Sequence, residues 1–296
     1  MGRRIFGSDR QLDQVQASLA ELEASMARVA ERLDRHIEDT THRFHRLFQV
    51  LERMADDEVG NRRRLVAARR EPSYEAAYEE ADPLVSVLIP TYSNAEGLRE
   101  RSLPSVLAQT HGNLEVIVVG DAAVPEVEEV VRGFDDPRVR WRNREVRGPY
   151  PDERELLWLV SGVPPWNDAV ELARGRWIAP FSDDDALRPD AIGSVLESAR
   201  SRRLELCYGA LEMHEREGGV RRLGEFPPAP YAMGLQGSVF HGSLRFLQHQ
   251  LIDALFGVPS DWSLVRRMLR IGVRIGYLDQ VVCDYYPSYR AAAEAG

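Results

Sequence analysis

The sequence predicts an α/β protein whose mostly parallel central sheet is covered by helices on both faces and preceded by a long N-terminal coiled-coil helix. Three observations predict it. From residue 83 onward, apolar strand-like runs alternate with stretches of helical spacing, the pattern of strand–helix–strand units. Before that, a three-four apolar repeat runs from Leu12 to Met54 with almost no helix breakers. Finally, the apolar run at 176–181 is followed at once by three carboxylates, Asp183, Asp184 and Asp185, and the carboxyl end of a strand is where open α/β sheets bind ligands.

The first element is the helix. Leu12, Val15, Leu19, Leu22, Met26, Val29 and Leu33 recur at alternate steps of three and four, and the register resumes at Leu47, Val50 and Met54. A seam of roughly six heptads predicts a coiled coil over residues 1–57 and, through it, a homo-oligomer. The intervening seam positions His36, Thr40 and Arg43 are polar, and would fix register at a cost in stability. A single amphipathic helix lying on the globular domain is the competing reading. Residues 58–82 lose the repeat. With Arg62, Arg63, Arg64, Arg69 and Arg70 they read as a basic helical tail passing into a linker, either a solvated face or a contact for anionic lipid headgroups.

The globular domain is expected over 83–290. A buried strand at 84–89 stops at Pro90, a helix covers 97–109, and a second strand at 115–119 ends in Gly120-Asp121. Pro125 opens a helix to 134, and a short strand follows at 138–142. Pro164-Pro165 sets the first turn of a helix through 173, with Gly175 as its stop, and 176–181 is the strand that carries the acidic triplet. Beyond Pro189 the signals mix: a helix at about 190–201, a strand at 205–211, a Pro/Gly-rich loop at 224–237, and helical stretches at about 244–256 and 261–271.

Composition narrows the function. The 296 residues suffice for a sizeable core. A formal net charge of -9 argues against nucleic-acid binding, which usually shows a basic face. No apolar stretch approaches the roughly 20 residues that span a bilayer. The opening Met-Gly-Arg-Arg-Ile-Phe-Gly lacks the apolar core of a signal peptide. Two cysteines are too few for a disulfide framework or a zinc site. The expected location is the cytoplasm, with peripheral contact at the inner face of the membrane as an option for the basic tail.

Consecutive like charges repel, so a strand end that gathers three carboxylates calls for a counter-charge. A hard divalent cation, Mn²⁺ or Mg²⁺, takes one or two carboxylates and fills its shell with water and substrate phosphate. A solvated acidic turn is the alternative. In a doubly wound sheet three strand ends share one edge: Pro90-Thr91-Tyr92, Gly120-Asp121 and the segment 182–185. They offer an aromatic face, a lone carboxylate and a metal-holding cluster. Those parts suit a nucleoside diphosphate: a ring to stack the base, an acceptor for a base N–H, and a metal for the pyrophosphate.

Here the chain resembles a known family. Val-Ser-Val-Leu-Ile-Pro-Thr-Tyr at 85–92 is similar to the opening strand of the family 2 glycosyltransferases, which have the nucleotide-diphospho-sugar transferase fold. Blocks at 105–110, 113–121 and 173–189 resemble that family's next segments in order and spacing, and Ser260-Asp261-Trp262 with Gly276-Tyr277-Leu278-Asp279 resembles its acceptor-side block. The resemblance covers about 83–286. It implies a nucleotide-sugar-binding half at 83–189 and an acceptor-binding half at 190–290. Pro90, Thr91, Tyr92, Asp121 and Asp183 would contact the nucleotide, Asp184 and Asp185 would hold the metal, and Asp261 would be the catalytic base. It also implies inversion at the anomeric carbon, with a nucleotide-diphospho-sugar donor and a glycan, lipid-linked or protein acceptor. On residues 261–271 alone, Asp261 also reads as a helix N-cap.

The chain departs from the family pattern at several points. Ser182 stands where many members have the first Asp of the metal motif, Gly120 and Ala122 alter the usual Asp-Asp-Gly-Ser turn, and Ser260 replaces a common acidic neighbour of the base. The tail Asp284-Tyr285-Tyr286-Pro287-Ser288 lacks the histidine that often completes the metal shell. Two rivals remain: a haloacid-dehalogenase-type phosphatase using Asp183 and Asp185 as an Asp-x-Asp pair, and a coiled-coil scaffold with a weakened catalytic domain. Neither a Gly-x-x-x-x-Gly-Lys-Ser/Thr loop nor a Gly-x-Gly-x-x-Gly turn occurs.

Overall fold

The structure, a computed structural model, describes residues 6–215 and 218–287. Residues 1–5 of the predicted coiled-coil segment and 288–290 at the end of the predicted domain, Ser288 among them, lie outside the described residues. The chain forms two units, Met1–Ala55 and Asp56–Gly296. The described residues of the first form one uninterrupted helix, α1 (Phe6–Ala55).

In the second unit two helices, α2 (Glu58–Ala68) and α3 (Pro72–Glu79), precede the sheet. The segment expected as tail and linker is part of the globular core. Leu65, Tyr74 and Ala77 are fully or almost fully buried. Tyr74 and Tyr78 pack with His241 and Trp177 at centroid distances of 4.5–5.5 Å. The reason is an internal anion: buried Glu205 accepts from Arg69 Nε (2.7 Å), Arg69 Nη2 (2.6 Å), Tyr74 Oη (2.6 Å) and the Arg274 N–H (2.8 Å). Burial alone would raise the Glu205 carboxyl, but these donors and the Arg69 charge hold it below the usual range. Two of the arginines that read as a basic patch are spent inside the unit, since Arg62 Nη2 also donates to the Arg270 carbonyl at 2.7 Å.

The first half of the sheet is parallel, as expected. β1 (Val85–Thr91) pairs with β2 (Leu114–Gly120) and with β4 (Trp177–Pro180), and β2 pairs with β3 (Val139–Asn143). Every residue of β2 is buried, which is why it reads as a continuous apolar run. Its side chains alternate between two cores. Val116 and Val118 join Val87 and Ile89 under α3 and the helix over 95–107, while Ile117 and Val119 join Leu88 under a second layer. That first covering helix has three parts: α4 (Ala95–Gly97), a π turn Leu98–Ser102, and α5 (Leu103–Leu107). α6 (Pro125–Gly133) lies on the same face. The opposite face carries α8 (Val163–Leu172), reached through α7 (Arg154–Val160), a helix the apolar spacing did not reveal.

In the second half, where the sequence signals mix, parallel and antiparallel pairs mix too, with the strand at 206–214 parallel to the last strand, at 275–285. After β5 (Ala186–Leu187) and α9 (Ala191–Ser201), β6 (Leu206–His214) runs antiparallel to the hairpin strand β7 (Val220–Leu223). β8 (Ser238–His241) is antiparallel to both β4 and β6, and so joins the two halves. The region 244–256 is not one helix. It holds short 3₁₀ turns at Gly242–Leu244 and Leu251–Phe256, because Gln250 and Asp253 form a capping box that starts the second turn afresh. α10 (Ser260–Ile271) matches its expected position, and β9 (Ile275–Tyr285) completes a sheet of order β3-β2-β1-β4-β8-β6-β9-β5.

Candidate active site

The carboxyl ends of β1, β2 and β4 meet at one edge, as read from the sequence. Thr91, the last residue of β1, donates from Oγ1 to Asp183 Oδ2 at 2.6 Å. Asn94 donates to the Asp183 carbonyl at 3.1 Å and caps the following turn by accepting from the Gly97 N–H. A side chain at Gly97 would collide with the Asp183 carbonyl, so this approach requires glycine. The π turn then presents two donors to the acidic turn. Arg101 Nε reaches the Asp184 carbonyl at 2.7 Å and Ser102 Oγ reaches the Ser182 carbonyl at 2.8 Å. A π bulge at a functional edge is a recurrent device. Nothing in the spacing along the chain signals it.

The three carboxylates part company. Asp183 is drawn to Thr91 and Asn94. Asp185, expected beside Asp184 on the metal, is fully buried: it accepts from Ser182 Oγ, and from the Tyr286 N–H at 2.8 Å, and so ties the acidic turn to the end of β9. Burial and the neighbouring Asp184 charge push its carboxyl well above the usual range. Asp184 stays half-buried, and burial plus the Asp183 charge push its carboxyl up to about 7. Among the described residues no group of three or more His, Cys, Asp or Glu is arranged to hold a metal ion. The donor chemistry fits a hard cation at Asp184, whose negative charge beside Asp183 is otherwise costly, and leaves Asp185 to structure. Asp183 and Asp185, the pair a phosphatase would use, accept from Thr91 and Asn94 and from Ser182 and the Tyr286 N–H respectively.

At β2, Asp121 is buried, and both its oxygens are occupied. Tyr150 Oη donates at 2.6 Å, the Gly148 N–H at 3.1 Å, and Arg144 Nε lies at 3.2 Å. Tyr92 is exposed on the same edge, with the Arg147 guanidinium 4.0 Å over its ring. Arg147 and Tyr150 come from a loop with no apolar or turn period, so nothing in the sequence marked them. Ala122 takes φ 53°, a left-handed conformation, where the family turn has glycine.

Asp261 comes from the other half. It is the second residue of α10, past the N-cap position Pro259, and accepts from the Trp262 N–H at 3.1 Å. Burial raises its carboxyl above the usual range, and the backbone hydrogen bonds of Trp262 and of Asp261 itself do not restore it. α10 is fixed from behind. Buried Arg267 donates to Asp253 Oδ1 at 2.8 Å and lies 3.5 Å from buried Asp56, which also pairs with Arg266 and Arg270. A cavity of about 420 Å³ opens in front of Asp261. Pro90 and Ser182 line it from the strand edge, Trp158, Trp166, Trp262 and Tyr231 supply aromatic walls, and Leu159, Met233 and His249 complete its depth. The strand edge and Asp261 therefore share one cavity.

On this geometry the comparisons with known proteins converge. Residues 86–150 match the Glycosyl transferase family 2 model. The chain is 36% identical to an uncharacterized protein, y4gI, of Sinorhizobium fredii over 149 residues, 49% of this chain and 15% of that one. It is 29% identical to the succinoglycan biosynthesis protein ExoO of Rhizobium meliloti over 216 residues, 65% of this chain and 57% of that one. The fold is like that of S. aureus TarS, residues 1–349, crystallised with UDP, at a TM-score of 0.53 and 16% identity over 71% of this chain and 62% of that one. Residues 86–150 are thus similar to family 2 glycosyltransferases, and the fold is like that of TarS. The chain spans less than two thirds of the length of either curated relative.

Proposed function

We propose that the protein is an inverting glycosyltransferase that moves a sugar from a nucleotide-diphospho-sugar to a hydroxyl of a glycan acceptor. The observation that carries this reading is the shared cavity, where a carboxylate of raised pKa faces the strand edge that bears the acidic turn. Asp261 accepts the acceptor proton as the acceptor oxygen bonds to the anomeric carbon. The bond from that carbon to the diphosphate breaks on the opposite side, and its electron pair leaves with the diphosphate. A divalent cation held at Asp184 would neutralise charge on the departing diphosphate. Pro90, Thr91 and Asp183 form the floor of the nucleotide site. The base meets Tyr92, whose platform Arg147 extends, and Asp121, where the Tyr150 hydroxyl must yield an acceptor. The exposed indole of Trp158 and the ring of Trp262 suit the apolar faces of an acceptor sugar.

The protein is expected to act in the cytoplasm, to which its two free buried cysteines are suited. No helix among the described residues is long and apolar enough to cross a membrane. The N-terminal helix joins copies of the chain. The test of the catalytic reading is a thermal-shift screen of UDP, GDP, dTDP and CDP with and without Mn²⁺, followed by turnover with the matching sugar nucleotides. One nucleotide should stabilise the parent, by about 2.7 kcal/mol at a hundred times its dissociation constant. The Mn²⁺-dependent part should vanish in Asp184→Asn. An Asp184→Asn protein that keeps that part would reduce the triplet to an acidic turn.

A further inference from the structure

α1 leaves thirteen large apolar side chains in solvent, from Val15 to Met54, each 47–72% exposed. An isolated helix is marginal in water, and its stability ordinarily comes from a packed apolar face. The stripe those side chains make is not a single heptad register. Val15, Leu19, Leu22, Met26, Val29 and Leu33 step by three and four. The next apolar residue is then Ile37, four beyond Leu33, and from there Ile37, Phe44 and Leu51 alternate with Thr40, Leu47 and Met54, again at three and four. Two consecutive steps of four, 29 to 33 and 33 to 37, make an eleven-residue interval from Met26 to Ile37. Such an insertion is a stutter, which locally unwinds a left-handed supercoil.

The straight register fails on the helix itself. At about 100° per residue, His36, Arg43 and Val50 fall about 60°, 80° and 100° away from Leu33, whereas Ile37, Phe44 and Leu51 fall within about 40° of it. Arg43 is committed to the solvated side, with its guanidinium 2.6 Å from Asp39 and most of its side chain exposed. Thus the polar positions His36 and Arg43 leave the seam, and Thr40 is its one polar member.

We propose that α1 pairs with α1 of a second copy of this chain along a seam that changes register at Leu33. This deepens the reading of the helix as an oligomeriser and rests on it. A second copy is the occupant because the stripe repeats with coiled-coil steps on both sides of the shift, so an identical helix presents matching knobs and holes at every level. Charge does not oppose it: between Gln14 and Met54 the helix carries seven carboxylates and six arginines, interspersed.

The experiment is sedimentation equilibrium on the full chain at micromolar concentration, with two double variants. Ile37→Glu with Phe44→Glu puts charge into the shifted seam and should weaken self-association by about a hundredfold or more. His36→Glu with Arg43→Glu alters only the straight register and should leave it within about threefold of the parent. A parent that sediments as a monomer overturns the oligomer reading, and with it this proposal. An oligomeric parent broken by the second pair but not by the first overturns the register shift and leaves the oligomer standing. Circular dichroism of each variant checks that the globular unit, which lacks these positions, stays folded.

Discussion

The two halves of the catalytic unit place their functional residues by different means. Before Pro189 four strands run parallel, and each residue of interest lies at or just past a strand's carboxyl end: Thr91 and Tyr92 after β1, Asp121 after β2, the acidic turn after β4. Beyond it the strands return mostly antiparallel, and Asp261 sits at the start of a helix whose Arg267 is held between Asp253, close before it in the chain, and Asp56, which comes from before the sheet. In the first half a local rule places the chemistry. In the second, long-range burial does.

That contrast is sharpest in the rate. Asp261→Asn should lower kcat by a factor of about 10² to 10⁴ while nucleotide affinity, a property of the other half, stays at the parental level. The raised carboxyl sets the sign of the pH dependence. The base works ionised, so kcat/KM should fall as pH drops through a value above the ordinary carboxylate range of about 4. Near-parental turnover of this variant with donor in excess would move the base elsewhere.

Stability offers the next test. Glu205→Gln removes an anion on which Arg69, Tyr74 and Arg274 all depend, and should cost about 3–5 kcal/mol in urea unfolding. A loss below 1 kcal/mol would mean that α2 and α3 dock by apolar contact alone.

His249, in the cavity of the second half, is pushed down to about 3 by burial and then by the Arg267 charge. A histidine kept neutral in the folded state contributes stability that is complete above about 6.5 and lost as pH falls toward 3. Between pH 6.5 and 4.5 that amounts to about 2–3 kcal/mol. His249→Phe should flatten the parent's stability curve by that amount over the same window; parallel curves for the two proteins would place the acid sensitivity in other groups.

Tyr150→Phe frees one oxygen of Asp121 from a hydrogen bond to a charged group. If the base competes for that oxygen, nucleoside diphosphate should bind about tenfold tighter by calorimetry, since about 1.4 kcal/mol is a factor of ten. Unchanged or weaker binding would make Tyr150 a fixed part of the site. The smallest effect is expected at Ala122→Gly, which relieves a left-handed φ and should raise stability by up to about 1 kcal/mol.

The sequence by itself determined the helix α1, the parallel strands with their apolar runs, the turn prolines, and the edge where Thr91, Tyr92, Asp121 and the triplet gather. Each follows from periodicity or from chemistry within a few residues, which a linear reading can see. Asp261 was singled out only by the resemblance of its block to the family pattern; its position before an apolar helical run read as a helix cap, whereas the cap position falls at Pro259. Only the tertiary structure decided that residues 58–79 belong to the core, because the anion that holds them, Glu205, lies more than a hundred positions away. It alone decided that Asp185 serves the fold, since its partner Tyr286 arrives with β9. The same holds for Arg101, Arg147 and Tyr150, brought to the site by a π turn and a loop. A buried charge is satisfied wherever the fold delivers a partner, and no spacing along the chain records that delivery.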